Sequence, residues 1–334
     1  MYSEGVEQES TPFVLPRLRI VLPGGSGQIG TLLARYLQEH GHHVTVLTRS
    51  PYAAPWHTVH WDGATLGPWV EHLEGADAWI NLAGRSVNCR YTAANRKAIY
   101  RSRIETTQLL HRALEGLAAP PRVWMNASTA TIYRHALDRP MDEHTGELGG
   151  DEPDAPDTWN FSIRVARDWE DAFFGPATPY TRRIALRSAV TFSPVPGNAF
   201  AILSWLSRLG LGGAQGSGRQ YVSWIHELDF ARAVEFLLER EEIDGPVNLA
   251  APNPLPNRAF MAALREAWAM PNAIPAPTPL LEAAAWLLRT ETELVLKSRR
   301  VVPTRLLKAG FQFAFPEWPE AAEDLVKRWR QRDA

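Results

Sequence analysis

Apolar residues along the first half of the chain follow two alternating rhythms. Arg19-Ile20-Val21-Leu22-Pro23 is a short apolar run that reads as a buried strand. Thr31–His40 puts Leu32, Leu33, Tyr36 and Leu37 on one helical face, and Gly41 supplies the stop. His43–Leu47 is a second strand, so the chain opens with a strand–helix–strand unit that implies a parallel sheet covered by helices. The rhythm continues. Ala78–Leu82 reads as a strand, Ala93–Glu115 as a long helix, and Arg122–Asn126 as a strand. Residues 136–158, rich in Asp, Glu, Pro and Gly, read as a surface loop. Ile163–Phe174 reads as a helix and Arg182–Val190 as a strand. The pattern predicts a doubly wound α/β fold of Rossmann type over residues 18–193. Beyond Pro194 it becomes irregular. Gly210–Gly218 is glycine-rich, Trp224–Leu238 is helical after its first turn, Pro252–Pro279 is proline-punctuated, and the rest is mainly helical. Residues 194–334 therefore predict a smaller, mainly helical substrate domain at the C-terminal edge of the sheet, with some exchange of strand and helix. Residues 1–17 read as a disordered arm.

Composition narrows the function classes. The 334 residues carry 35 basic and 37 acidic side chains, and this balance gives no electrostatic pull toward nucleic acid or an anionic membrane. Cys89 is the only cysteine, so an intramolecular disulfide and a cysteine-rich zinc site are both excluded, and no metal site is expected. No apolar run reaches the ~18 residues of a membrane helix. The first seventeen residues lack the basic start and apolar core of a signal peptide. A cytoplasmic protein acting on a small molecule is expected; a homodimer stays open. Thirteen tryptophans point to aromatic-rich cores. Only four lysines occur, Lys97, Lys297, Lys308 and Lys327.

Gly24-Gly25-Ser26-Gly27-Gln28-Ile29-Gly30 lies at the first strand-to-helix turn. Glycines there let backbone N–H groups approach a pyrophosphate, which the helix N-terminus favours. Gly24, Ser26, Gly27, Gln28, Ile29 and Gly30 are the candidate phosphate contacts. The second strand runs out into Thr48, Arg49 and Ser50. An acidic residue at this point marks NAD; the arginine fork with flanking hydroxyls suits the 2′-phosphate of NADP.

With these residues in place, the chain resembles the extended-type short-chain dehydrogenase/reductase superfamily. It is most similar to the epimerase family proteins, a nucleoside-diphosphate-sugar epimerase subfamily with a C-terminal domain of unknown function. G-G-S-G-Q-I-G at 24–30, N-L-A-G at 81–84, S-R-I-E-T-T at 102–107 and D-W-E at 168–170 carry the resemblance. So do L-G-G-A-Q-G-S-G-R-Q at 211–220, W-I-H-E-L-D at 224–229, N-L-A-A-P-N-P at 248–254 and A-G-F-Q-F at 309–313. The resemblance implies further NADP contacts at Leu82, Ala83, Gly84, Arg103 and Thr191. It implies substrate contacts at Ser86, Arg90, Arg219 and Gln220.

Active extended-type members use a Ser/Thr, a tyrosine and a lysine. Ser128-Thr129-Ala130-Thr131-Ile132-Tyr133 resembles the first segment, with Thr129 at the catalytic position and Ser128 beside it. The Tyr-x-x-x-Lys pair is missing. Aligning Glu170 with the family glutamate puts Ser162 and Ala166 at those positions, and no lysine lies between residues 98 and 296. Tyr133, His135, Arg164, Arg167 and His226 are substitutes whose plainer readings are structural. Asp229 reads as a helix N-cap. Trp224 and Trp205 are core or stacking residues. The expected function is an NADP(H)-binding oxidoreductase or epimerase acting on a small carbonyl or sugar-like substrate without the usual relay. The alternative is a non-catalytic NADP-binding sensor or interaction protein.

Overall fold

The computed structural model describes residues 17–288 and 291–333. The expected N-terminal arm, apart from Arg17, lies outside these residues. In chain order, β1 (Arg19–Pro23), α1 (Gln28–Glu39), β2 (His43–Thr48) and β3 (His57–His60) are followed by β4 (Ala78–Asn81), α2 (Ala93–Glu115) and β5 (Val123–Thr129). Next come α3 (Asp157–Phe174), β6 (Arg182–Ser188), β7 (Val190–Phe192) and α4 (Ala199–Arg208). The second half contains β8 (Tyr221–Val222), β9 (Trp224–His226), α5 (Glu227–Glu239), β10 (Gly245–Leu249), β11 (Leu255–Pro256) and α6 (Asn257–Ala267). It ends with α7 (Thr278–Leu288), α8 (Glu293–Leu296), α9 (Thr304–Lys308) and α10 (Trp318–Asp333).

Seven strands form one parallel sheet in the order β3-β2-β1-β4-β5-β6-β10. The order reverses between β1 and β4, and such a switch point opens a crevice at the carboxyl ends of the strands. All four residues of β4 are buried, as a parallel strand covered on both faces requires. Leu33 and Leu37 of α1 pack with Phe230 and Val234 of α5 on one face. Leu109, Leu110 and Ala113 of α2 pack on the other with Trp79 and Trp124, whose rings meet edge to face. A third core joins α6 and α10, where Phe260 stacks on Trp318 at 4.0 Å.

The structure departs from the expected elements in instructive ways. β3 has the sequence H-T-V-H, with too little apolar signal to predict a strand, yet it pairs with β2 at the sheet edge. α3 starts at Asp157 rather than Ile163, because Pro156 seats the helix start. β6 ends at Ser188. Ala189 donates its N–H to Leu249, and the chain then leaves the main sheet as β7 to pair with β9. The second half contributes β10, which pairs with β6 as the edge strand of the main sheet, an exchange of the kind the pattern allowed for.

A buried polar network fixes the centre. Arg187 on β6 grips Glu170 on α3 through Nε at 2.8 Å and Nη2 at 2.6 Å. Ser128 donates to the same carboxylate at 2.6 Å. Arg187 Nη1 donates to Tyr133 Oη at 2.9 Å, and Tyr133 donates on to Asn248 of β10 at 2.9 Å. Removing one partner of such a pair strands a buried charge. Glu170→Ala is therefore expected to cost about 3–5 kcal/mol, measured by chemical denaturation. An unchanged midpoint would remove the network from the stability account.

Candidate functional site

The glycine loop between β1 and α1 is built from three different constraints. Gly24 has a φ of +73°, and a Cβ there would lie 2.5 Å from the Ala83 backbone. At Gly30 a Cβ would meet the Gly25 backbone at 2.4 Å, so α1 comes close to the loop only without one. Around Gly27 a Cβ would meet nothing within 4 Å, which leaves the loop's face open. Gln28 reaches across and donates to the Pro196 carbonyl at 2.8 Å, tying the loop to the segment after β7.

Beside the loop, buried Thr48 donates to Ser26 Oγ at 3.0 Å and accepts from the Ser50 N–H at 3.3 Å. That bond sets the backbone leaving β2, and Arg49 projects from it, exposed and without an ion-pair or hydrogen-bond partner among the described residues. Asn81, buried at the end of β4, accepts from the Ala83 N–H at 3.1 Å and donates to Asn126 at 2.7 Å. Arg103 from α2 lies against Gly84 and over the Trp169 ring at 5.2 Å. Burial pulls its guanidinium down to about 10. Its hydrogen bond is to the Ile99 carbonyl, and no carboxylate pairs with it among the described residues.

These residues border a cleft of about 710 Å³ at the carboxyl ends of β1, β4, β5 and β6. Its walls include Gly24, Gly27, Gln28, Ile29, Gly30, Leu82, Gly84, Ser86, Arg103, Ser128, Thr129 and Thr191 from the sequence-derived candidates. Thr48, Arg49 and Ser50 at the end of β2, and Ser26 of the glycine loop bonded to Thr48, stand outside that lining, and Ala83 backs Gly24. Thr129 Oγ1 accepts from the Thr131 N–H at 3.1 Å, so its own proton stays available. The Ser128 hydroxyl, by contrast, is committed to Glu170.

The expected substrate residues separate. Ser86 lines the cleft; Arg90 and Arg219 do not. Gln220 does not face it either. It is buried, with its amide bound to the carbonyls of Gln215 at 2.7 Å and Val295 at 3.2 Å, which makes it a packing residue. His226 is the residue that caps α5, through Nδ1 to the Leu228 N–H, and its Nε2 meets Asp324. Asp229 was expected in that capping place; its carboxylate instead accepts from the Ala314 and Phe315 N–H groups. Tyr133 is fixed in the central network. His135 stacks on Trp159, Arg167 faces Asp151, Arg164 is exposed, Trp224 is core and Trp205 is on the surface.

Sequence reasoning missed most of one wall, naming on it only Ser162, at the position of the usual tyrosine. Tyr91, Ser162, Glu293 and Leu294 line the cleft together with Thr131. Behind them Lys297, buried, donates to the Thr131 carbonyl at 2.7 Å, and Arg299 Nε donates to Thr131 Oγ1 at 3.2 Å. Nothing in the sequence around Lys297, L-V-L-K-S-R-R, marks it as part of this wall.

Comparison with known proteins places this geometry. The family model described as NAD dependent epimerase/dehydratase family matches residues 20–156, and a domain of unknown function (DUF1731) matches 276–325. Epimerase family protein SDR39U1 from Bos taurus is 34% identical over 313 residues, covering 92% of this chain and all of the relative. The chain belongs to the epimerase family. Epimerase family protein YfhF from Bacillus subtilis is 28% identical, covering 92% of this chain and 98% of the relative. The crystal structure of human SDR39U1 (isoform 2) with NADPH superposes with a TM-score of 0.80 at 31% identity, covering 93% of this chain and 99% of that one. A nucleoside-diphosphate sugar epimerase from Corynebacterium glutamicum gives 0.72 at 26% identity, covering 93% of this chain and 59% of that one. In this family member, no helix among the described residues is long and apolar enough to cross a membrane. The same residues contain no cluster of three or more His, Cys, Asp or Glu able to hold a metal.

Lys297 gives the site a pH signature. Burial first, then Arg299, lowers its ammonium from the ordinary lysine range to about 7. Below pH 7 both folded and unfolded chains carry this proton, and the fold bears the cost of a buried charge. Between pH 7 and about 10 the unfolded chain holds more protons, so stability rises with pH. Lys297→Met is expected to be more stable than wild type at pH 6.5, with the gap closing toward pH 10. Parallel melting curves would show it, and a gap independent of pH would refute it.

Proposed function

We propose that this protein binds NADP(H) in the cleft and reduces a small carbonyl or sugar-like substrate in the cytoplasm, as an oxidoreductase of the epimerase family. The observation that carries the reading is a pair of arginines without an acidic partner among the described residues: Arg49, exposed after β2, and Arg103, beside Gly84 on the wall of the cleft. A dinucleotide with an additional phosphate supplies the anions that such a set lacks. The human relative solved with NADPH supports the same assignment.

Each group then has a defined task. The Gly24–Gly30 backbone and the α1 N-terminus would hold the pyrophosphate, and Arg49 with Thr48 and Ser50 the ribose phosphate. Leu82, Ala83 and Gly84 would pass the adenosine ribose, and Thr191 the nicotinamide. The cofactor supplies hydride when bound. Thr129, whose hydroxyl proton is uncommitted, would donate to the substrate oxygen as negative charge develops there. An epimerase using the ordinary Tyr-x-x-x-Lys relay is not the reading, because α3 carries Ser162 and Ala166 in those positions.

Loss of one charge-assisted contact costs ~1.5–3 kcal/mol, about tenfold or more. Arg49→Ala is therefore expected to weaken NADPH binding by that factor and leave NADH binding nearly unchanged. In the same fluorescence titration, Gly27→Val should abolish binding of both while the circular dichroism spectrum stays native. Equal NADPH affinity in wild type and Arg49→Ala would overturn the assignment of the 2′-phosphate contact.

A further inference from the structure

Three side chains from distant parts of the chain meet on the wall of the cleft that sequence reasoning mostly missed. Tyr91 lies just before α2, Ser162 in the second turn of α3, and Glu293 at the start of α8. Tyr91 Oη and Ser162 Oγ are 3.2 Å apart. Ser162 donates to Glu293 Oε2 at 2.5 Å. Glu293 is 4% exposed, and its other oxygen accepts from the buried Arg299 at 3.2 Å. The Tyr91 backbone is fixed by its N–H bond to Glu291 at 2.9 Å.

The order of groups matters. Hydroxyls donate and accept, so Ser162 bridges the Tyr91 phenol to the Glu293 carboxylate. Arg299 only donates, so it anchors the carboxylate and ends the chain of hydrogen bonds on the protein side. The other end is a phenol on the wall of the cleft that also holds Thr129 and Thr191. The Ser128–Glu170 pair has comparable chemistry but is locked to Arg187 in the core.

We propose that Tyr91 is the proton donor to the substrate's carbonyl oxygen, with Ser162 and Glu293 as positioning residues that hold its hydroxyl in place. The proposal rests on the reductase reading above. As hydride reaches the carbonyl carbon, the C=O π pair moves to oxygen, and that oxygen takes the Tyr91 proton to give the alcohol. The phenolate is reprotonated by water entering the cleft, while Ser162, bonded to the Glu293 carboxylate, keeps the phenol oxygen in place. The hydride comes from NADPH, so electrons and protons balance.

The surroundings of Tyr91 give this donor a direction. Burial first, then the Glu293 charge, pushes its phenol up to about 12. Ser162 and Arg103 oppose the shift, and Cys89 adds a small upward push. The phenol is thus neutral near pH 7. It can give a proton to a developing alkoxide, but it is not a ready base for alcohol oxidation.

The test uses the full-length protein with NADPH and three probes: 4-nitrobenzaldehyde, 9,10-phenanthrenequinone and a nucleoside-diphosphate 4-keto sugar. A positioned general acid is worth about 100- to 10,000-fold. Tyr91→Phe and Ser162→Ala are expected to lower kcat at least ~100-fold, with NADPH affinity within twofold of wild type. Ser162→Thr, which restores a hydroxyl, should recover most of that loss. Ultraviolet difference titration of wild type against Tyr91→Phe reports the Tyr91 ionisation, and the isosteric Glu293→Gln should shift it toward that of free tyrosine. Wild-type turnover that survives Tyr91→Phe, or a Tyr91 titration indifferent to Glu293→Gln, would overturn the proposal and leave the reductase reading standing. Tight NADPH binding with no turnover of any probe by wild type would overturn both.

Discussion

The pairing of Arg187 with Glu170 is the interaction on which the architecture turns. It joins β6 to α3, takes in Ser128 from β5, and passes through Tyr133 to Asn248 on β10. Four elements are thereby held in one register beneath the cleft. Buried ion pairs gain little net stability over apolar packing, but they tolerate few alternative arrangements. The end of β5 is consequently fixed, and Thr129, one residue beyond Ser128, is aimed with it.

Much of this was legible in the sequence because the strands are short apolar runs and the glycine loop sits at a strand-to-helix turn. The α2 bounds, Ala93–Glu115, follow from the spacing of its apolar residues, and the structure adds a Thr92 cap at its start. β3 was not legible, since an edge strand of two histidines, a threonine and a valine carries almost no hydrophobic signal. The β6–β7 break was not legible either. It is decided by β9, which competes for the chain from some 35 positions downstream.

The cleft divides along the same line. Residues that act through backbone geometry, such as Gly24, Gly27 and Gly30, announce themselves because few sequences satisfy those constraints. Gln220 shows the limit. Its motif suggested a face toward substrate, and its amide is spent on two carbonyls. The wall formed by Tyr91, Ser162 and Glu293 depends on contacts 71 and 131 residues apart, which no local pattern encodes.

Those separations also bear on the birth of the protein. The glycine loop, Thr129 and the whole of α3 leave the ribosome well before Glu293 and Arg299 do. Ser162 finds its carboxylate only when the C-terminal segment is in place. A chain that stalls or is clipped short of it would lack Glu293 and Arg299, and with them the anchor of the Tyr91–Ser162 pair, so competence in catalysis would report that synthesis has passed that point.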